Sequence, residues 1–118
     1  MPSRKPFERP KKKPEPREIT VLWVPVGKDP VMKKIQDTLP DIYRHINGGP
    51  MECIPFTENV NIVWNELANT MNPPLPLNRS IWNGEYTARG DFFFTRITKG
   101  KFVGITEFDA ARLIKELL

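Results

Sequence analysis

Pro73-Pro74-Leu75-Pro76-Leu77-Asn78-Arg79, followed after a polar bend by Gly90-Asp91-Phe92-Phe93-Phe94, is the stretch around which the chain is organised. A proline-framed approach delivers one Asn-Arg pair. A glycine then opens the most apolar strand candidate in the sequence, Asp91 to Thr98. Phe93 and Ile97 alternate there with Phe92 and Phe94, so both faces are apolar in the first half, which predicts a central strand covered on two sides. Asn83-Gly84 is a turn signal, and Trp82 to Gly90 reads as a loop. Lys99-Gly100-Lys101 is a tight turn, from which Phe102-Val103-Gly104-Ile105 pairs back. Thr106 opens a last helix with Asp109 three residues on, approximating a capping box. Phe108, Ala111, Ile114, Leu117 and Leu118 are its expected buried face.

Upstream, Glu18 to Val26 reads as a strand with Ile19, Val21 and Trp23 on one face and Leu22, Val24 and Val26 on the other. Asp29-Pro30 has the form of a helix start. Val31, Ile35, Leu39, Ile42 and Ile46 then recur at helical spacing. Pro40 interrupts this stripe, predicting a kink or two short helices with Pro40 opening the second. Asn47-Gly48-Gly49 is the stop. Pro50 to Phe56 and Val60 to Trp64 form a hairpin candidate. The fold expected is α+β: a small mixed or antiparallel sheet of about five strands with two or three helices.

The chain has 118 residues, enough for one domain at 18–118. Residues 1–17 read as a disordered, proline-rich arm, since Phe7 is almost their whole apolar content. Arg4, Lys5, Arg9, Lys11, Lys12, Lys13 and Arg17 face Glu8, Glu15 and Glu18, so this end accounts for the formal net charge of +4. The arm reads as a contact for nucleic acid or an acidic surface, or as a solubilising tail. The single cysteine, Cys53, excludes an intramolecular disulfide and fits a reducing, cytoplasmic setting. No run approaches the length of a membrane span, so no membrane partner is expected.

His45, the sole histidine, is expected half-exposed beside helix-end carbonyls, and Cys53 as an inert thiol. One His and one Cys cannot build a structural zinc site, and no metal or cofactor is expected. No phosphate loop, GxGxxG turn or nucleophile elbow is present, which argues against an enzyme. Asn78, Arg79 and Asp91 are the polar residues of interest. Arg79 either pairs with Asp91 or caps loop carbonyls, fixing the bend, or else forms with Asn78 a site for a phosphate or carboxylate. Trp23 and Trp64 are expected in or near the core. Trp82, Tyr86 and Arg89 are placed on an exposed loop as a contact surface.

Gly48-Gly49, Leu77-Asn78-Arg79, Gly90-Asp91-Phe92 and Thr106 together resemble the family catalogued as domain of unknown function three-eight-four-six, over roughly residues 19–118. The resemblance implies a setting in bacteriophages, prophages and mobile elements, and no catalytic residues. The function expected is a small binding protein that inhibits or modulates a host or defence complex through a protein surface. The alternatives are a nucleic-acid accessory protein using the arm and a binder of a small anionic ligand. Oligomeric state is left open.

Overall fold

A computed structural model describes residues 17–117. Among them are eight strands and two helices. β1 (Glu18–Val24) and β2 (Val31–Gln36) form one antiparallel hairpin, and β3 (Met51–Pro55) and β4 (Asn61–Asn65) another. β7 (Phe92–Thr98) joins them, giving the order β2-β1-β7-β4-β3, and β8 (Lys101–Val103) pairs with the far half of β7. β5 (Leu77–Ile81) and β6 (Tyr86–Arg89) form a separate two-stranded hairpin. The helices are α1 (Leu39–Arg44) and α2 (Glu107–Leu117). The expected α+β architecture is present, and every strand pair is antiparallel.

β7 is the seam. Phe93 pairs with Trp23 on one side and Val63 on the other, and Phe94 with Leu22 and Ile62. Successive strand residues point to opposite faces, so the phenylalanines divide between two cores. Phe92 and Phe94 join Leu22, Val24, Ile62 and Trp64 beneath α2 and the β5–β6 hairpin, with Leu113 and Ile81 from those two elements. Phe93 joins Ile19, Val21, Ile35 and Val63 beneath Ile42 and Ile46 of the α1 segment. Each fully buried phenylalanine contributes about 1.5–3 kcal/mol, which makes this triplet the largest local source of stability.

The helical stripe expected from Val31 to Ile46 is not one helix. Val31–Gln36 is a strand, and α1 begins only after Thr38, whose hydroxyl accepts from the Asp41 N–H. Pro40 sits in the first turn, so it opens a helix rather than kinking one. A spacing of four fits both helical and strand periods. Ile35 lies opposite Ile19 in the sheet, while Val31 and Leu39 are exposed, so the stripe never forms one buried face. The expected loop from Trp82 to Gly90 is also different: Tyr86–Arg89 is β6, in register Ile81 to Tyr86 and Ser80 to Thr87. Asn83-Gly84 is the hairpin turn, with Trp82 and Asn83 both at positive φ. Polar Ser80 and Thr87 on the outer face hide the strand pattern from a hydrophobic reading.

α2 is capped as expected. Thr106 Oγ1 accepts from the Asp109 N–H, and Asp109 Oδ2 accepts from the Thr106 N–H, both at 3.1 Å. Its buried face is rotated from the expected one. Ala110, Leu113 and Leu117 are inside, Ile114 is half-buried, and Phe108 is 70% exposed with Ala111 beside it in solvent. Asp109 sets this phase, because Arg96 on β7 binds it from below. Arg17, assigned by sequence to the arm, is held on the sheet: its Nη2 donates to Asp37 Oδ2 at 2.9 Å and to the Phe102 carbonyl at 2.7 Å. Arg4, Lys5, Arg9, Lys11, Lys12 and Lys13 lie outside the described residues.

Candidate functional site

Two regions gather the residues singled out by sequence. The first is a loop cluster where β1 ends, β7 begins and α1 exits. Asn47, at φ 62°, turns its side chain onto Gly90-Asp91. Its Oδ1 accepts from the Asp91 N–H at 2.6 Å, and its Nδ2 donates to Asp91 Oδ2 at 3.4 Å. Asp91 Oδ1 accepts from the Val26 N–H at 2.8 Å. Asn78 Nδ2 donates to the carbonyls of Val24 and Gly90, at 2.9 and 2.8 Å. Arg79 Nε donates to Asn78 Oδ1, and its Nη2 to the Lys28 carbonyl. Asn65 Nδ2 reaches the carbonyls of Asn47 and Gly48.

The cluster brings Asn78, Arg79 and Asp91 together, but not as an Arg79–Asp91 pair. Arg79 takes the other structural role and caps a loop carbonyl. Asp91 is satisfied by a backbone amide and by Asn47, so no guanidinium is required beside it. The glycines are fixed by space. Gly90 lies at φ 78°, and a Cβ there would stand 2.6 Å from Leu75 Cδ1 and 2.8 Å from Asn47 Oδ1. A Cβ on Gly49 would run into the Tyr43 ring. The motif residues therefore splice three loops, their half-buried polar groups paired with one another and with backbone. Asn47 and Asn65 were not singled out by sequence. Their only signal is the Asn before Gly48-Gly49, a residue type that tolerates positive φ.

The second region is the face between β3 and the β5–β6 hairpin. Phe56 stacks on Trp82, with centroids 5.5 Å apart and planes at 29°. Trp64 lies 5.2 Å from Tyr86 and 6.2 Å from Trp82. Trp64 is buried, whereas Phe56, Trp82 and Tyr86 are half-buried. Trp82 is thus neither free in a loop nor sealed in the core. Trp64 Nε1 donates to Glu52 Oε1 at 2.8 Å, and Asn69 Nδ2 to the Tyr86 hydroxyl at 2.7 Å. Arg89 does not join Trp82 and Tyr86 as a free contact residue, because its Nη1 donates to the Leu75 carbonyl.

Elsewhere, Arg96 and Asp109 form a two-pronged pair at 2.8 Å, which the sequence reading missed. An arginine following Phe92-Phe93-Phe94-Thr95 was the available signal. The guanidinium, helped by the Thr106 N–H, holds the Asp109 carboxyl down at about 2 against the opposing effect of burial. This pair floors a cleft of about 300 Å³ between the turn at Thr57–Val60 and α2, with Phe108 and Arg112 on its wall. His45 is buried rather than half-exposed: Nδ1 lies 2.6 Å from the Asp41 carbonyl and its ring meets Trp23 edge-on. The Trp23 indole donates to the His45 carbonyl, which ties this helix end inward. Cys53 is half-buried, and burial pushes its thiol pKa up, as suits an inert side chain.

Among the described residues no helix is long and apolar enough to cross a membrane, and no three His, Cys, Asp or Glu residues gather to hold a metal. Neither curated proteins nor solved structures yield a match to this chain. A family match does exist and covers residues 10–118, so it takes in the last part of the expected arm as well as the folded body. The motif glycines and the Asn78-Arg79 and Gly90-Asp91 pairs that carried the resemblance are the residues that splice the loops. The chain belongs to the family described as Domain of unknown function (DUF3846).

Proposed function

We propose that this chain is a small non-enzymatic binding protein that engages a folded protein partner through the face at the hairpin tip. The observation that supports it most is the aromatic set Phe56, Trp82 and Tyr86, half-open to solvent and braced on the buried Trp64. Rigid, partly exposed Trp and Tyr rings bring large contact area at low entropic cost and dominate binding hot spots. The setting in which we place it is the cytoplasm of a bacterial cell, as the product of a phage or mobile element that inhibits or modulates a host or defence complex. What supports that setting is the resemblance read from the sequence and the use of a single cysteine.

The test uses a photo-crosslinking residue at Asn83, exposed at the hairpin tip, and a control at Thr98, exposed at the far end of β7. A discrete bacterial protein crosslinked from Asn83 and not from Thr98 is the expected result. Equal crosslinking from both positions, or none from Asn83, removes this face from the function.

A second reading draws on a different surface. Lys28, Lys33 and Lys34 are exposed along edge strand β2 and the loop before it, next to the strand that continues from the basic arm. This favours a nucleic-acid accessory role, with binding that weakens steeply with salt and with Lys33→Gln/Lys34→Gln. The third reading, a small anionic ligand at Asn78 and Arg79, has less support. The Asn78 amide and two Arg79 nitrogens are already bonded within the protein.

A further inference from the structure

The hairpin-tip face is aromatic and acidic together. The register sets Glu52 opposite Trp64 and Ile54 opposite Ile62, so Glu52, Ile54 and Phe56 share the face of β3 that the hairpin covers. Glu52 closes one end of the aromatic row through its bond to Trp64. Glu85 is exposed in the turn between Trp82 and Tyr86. The rings of Phe56, Trp82 and Tyr86 thus share a surface region with two exposed carboxylates.

Free cations are scarce around this face: the hairpin's Arg79 and Arg89 are each tied to a loop carbonyl. Residues 46–78 contain three glutamates and no lysine or arginine. The contrast with other surface rings is informative. Trp23 carries Lys33 at 4.4 Å over its ring, and Phe108 carries Arg112 at 5.8 Å. Among the described residues no lysine or arginine stands over Phe56, Trp82 or Tyr86. Trp82 and Tyr86 instead have the exposed Glu85 between them in sequence, and Trp64 beneath them bonds Glu52.

We propose that this face receives a basic segment of the partner protein, with arginine or lysine side chains laid over Trp82 and Tyr86 and paired with Glu52 and Glu85. The assignment rests on the protein-binding reading above and adds the charge class of the partner. A guanidinium suits both halves of the site. Its flat face stacks on an aromatic ring, and its edge donates in a fork to a carboxylate. Glu52 Oε1 accepts from Trp64, and the exposed carboxylate has a second oxygen with which to accept from another donor. Phosphate-rich ligands are repelled by the same carboxylates.

The full chain is titrated by calorimetry with three peptides of equal length, alternating glycine with arginine, serine or glutamate. The arginine peptide should bind, more weakly at high salt, and Glu52→Gln/Glu85→Gln should weaken it by roughly tenfold. Each glutamine keeps an acceptor and the side-chain size, so an unchanged thermal midpoint shows that the fold is intact. Equal binding of the serine or glutamate peptide overturns the proposal, as does indifference to the glutamine pair or failure of the arginine peptide to bind. Self-association of the full chain that the glutamine pair abolishes also overturns it, by assigning the face to the basic arm of a second copy. If the arginine peptide fails while Asn83 still crosslinks a protein, the charge assignment falls and the binding reading stands. If both fail, both fall.

Discussion

The loop cluster and the hairpin-tip face treat their side chains in opposite ways. At the cluster, Asn47, Asn78 and Asp91 direct their polar atoms at backbone groups of neighbouring loops. At the hairpin tip, Phe56, Trp82 and Tyr86 lean on one another and leave part of each ring in water. The cluster holds most of the short motifs on which the sequence resemblance was read. The hairpin face holds none of them. The short motifs read from the sequence therefore coincide with backbone constraint, whereas the proposed contact face is assembled from residues distant in sequence.

The sharpest way to break this comparison is Gly90→Ala. It places a Cβ against Leu75 and Asn47 at a positive φ, and should cost about 3 kcal/mol by chemical denaturation. A loss below about 1 kcal/mol would mean that the cluster yields, and that its motif needs another explanation. Next in size is the acid response. Asp109 has a pKa lowered to about 2 in the folded protein, against an unfolded value near 3.9. The unfolded state takes up its proton first, so the Arg96–Asp109 contribution is present above about pH 4 and is lost as pH falls toward 2. Asp109→Asn should flatten this limb of the stability profile by about 2 kcal/mol. A profile as steep as that of the parent would place the acid sensitivity elsewhere.

A smaller effect separates partners within the cluster. In a double-mutant cycle, Asn47→Ala with Asp91→Ala should couple by about 1 kcal/mol, whereas Arg79→Ala with Asp91→Ala should stay within about 0.5 kcal/mol of additivity. The reverse order would restore the arginine–carboxylate pair that the geometry lacks. Smallest of all is Phe108→Ser, at about 0.5 kcal/mol or less because the ring is 70% exposed. Leu113→Ala on the inner face, at about 2–5 kcal/mol, is its control. If Phe108→Ser costs as much as Leu113→Ala, the phase of α2 is wrong.

Much of the sheet was legible because a strand buried on both faces reads as a short, nearly continuous apolar run. Glu18–Val24 and Phe92–Thr98 stand where the apolar pattern puts them, and Thr106 with Asp109 caps α2 as read. Failures came where one periodicity mimics another. Val31 and Ile35 are four apart, which a strand satisfies as well as a helix, and only pairing with Ile19 decides. β6 was hidden because Thr87 and Arg89 carry little hydrophobic pattern. On α2, Phe108 looked buried by hydrophobicity alone, but the Arg96–Asp109 pair rotates the helix and turns that ring outward.

At the candidate site, Asn78, Arg79 and Asp91 do gather, and of the two structural roles read for Arg79 the structure has the carbonyl cap and not the pair with Asp91. No local rule reveals that Asn47, forty-four residues before Asp91, supplies its partner. Trp82 and Tyr86 were linked correctly, but Phe56 and Glu52 reach them only through strand pairing across the sheet.

The position of β7 as the seam bears on the order in which the chain can assemble during synthesis. β1–β2 and β3–β4 are local hairpins, each able to close as soon as its own residues are available. Neither pairs with the other; both wait for Phe92–Phe94, about seventy residues after β1. Until that segment leaves the ribosome, two apolar strand edges stand open side by side, one on Leu22 and Trp23 and one on Ile62 and Val63. Long-range pairing of this kind is slow, and exposed edges of this kind aggregate. The last third of the chain therefore converts two separate hairpins into one sheet, and a ribosome stalled before Phe92 would release a product with both edges bare.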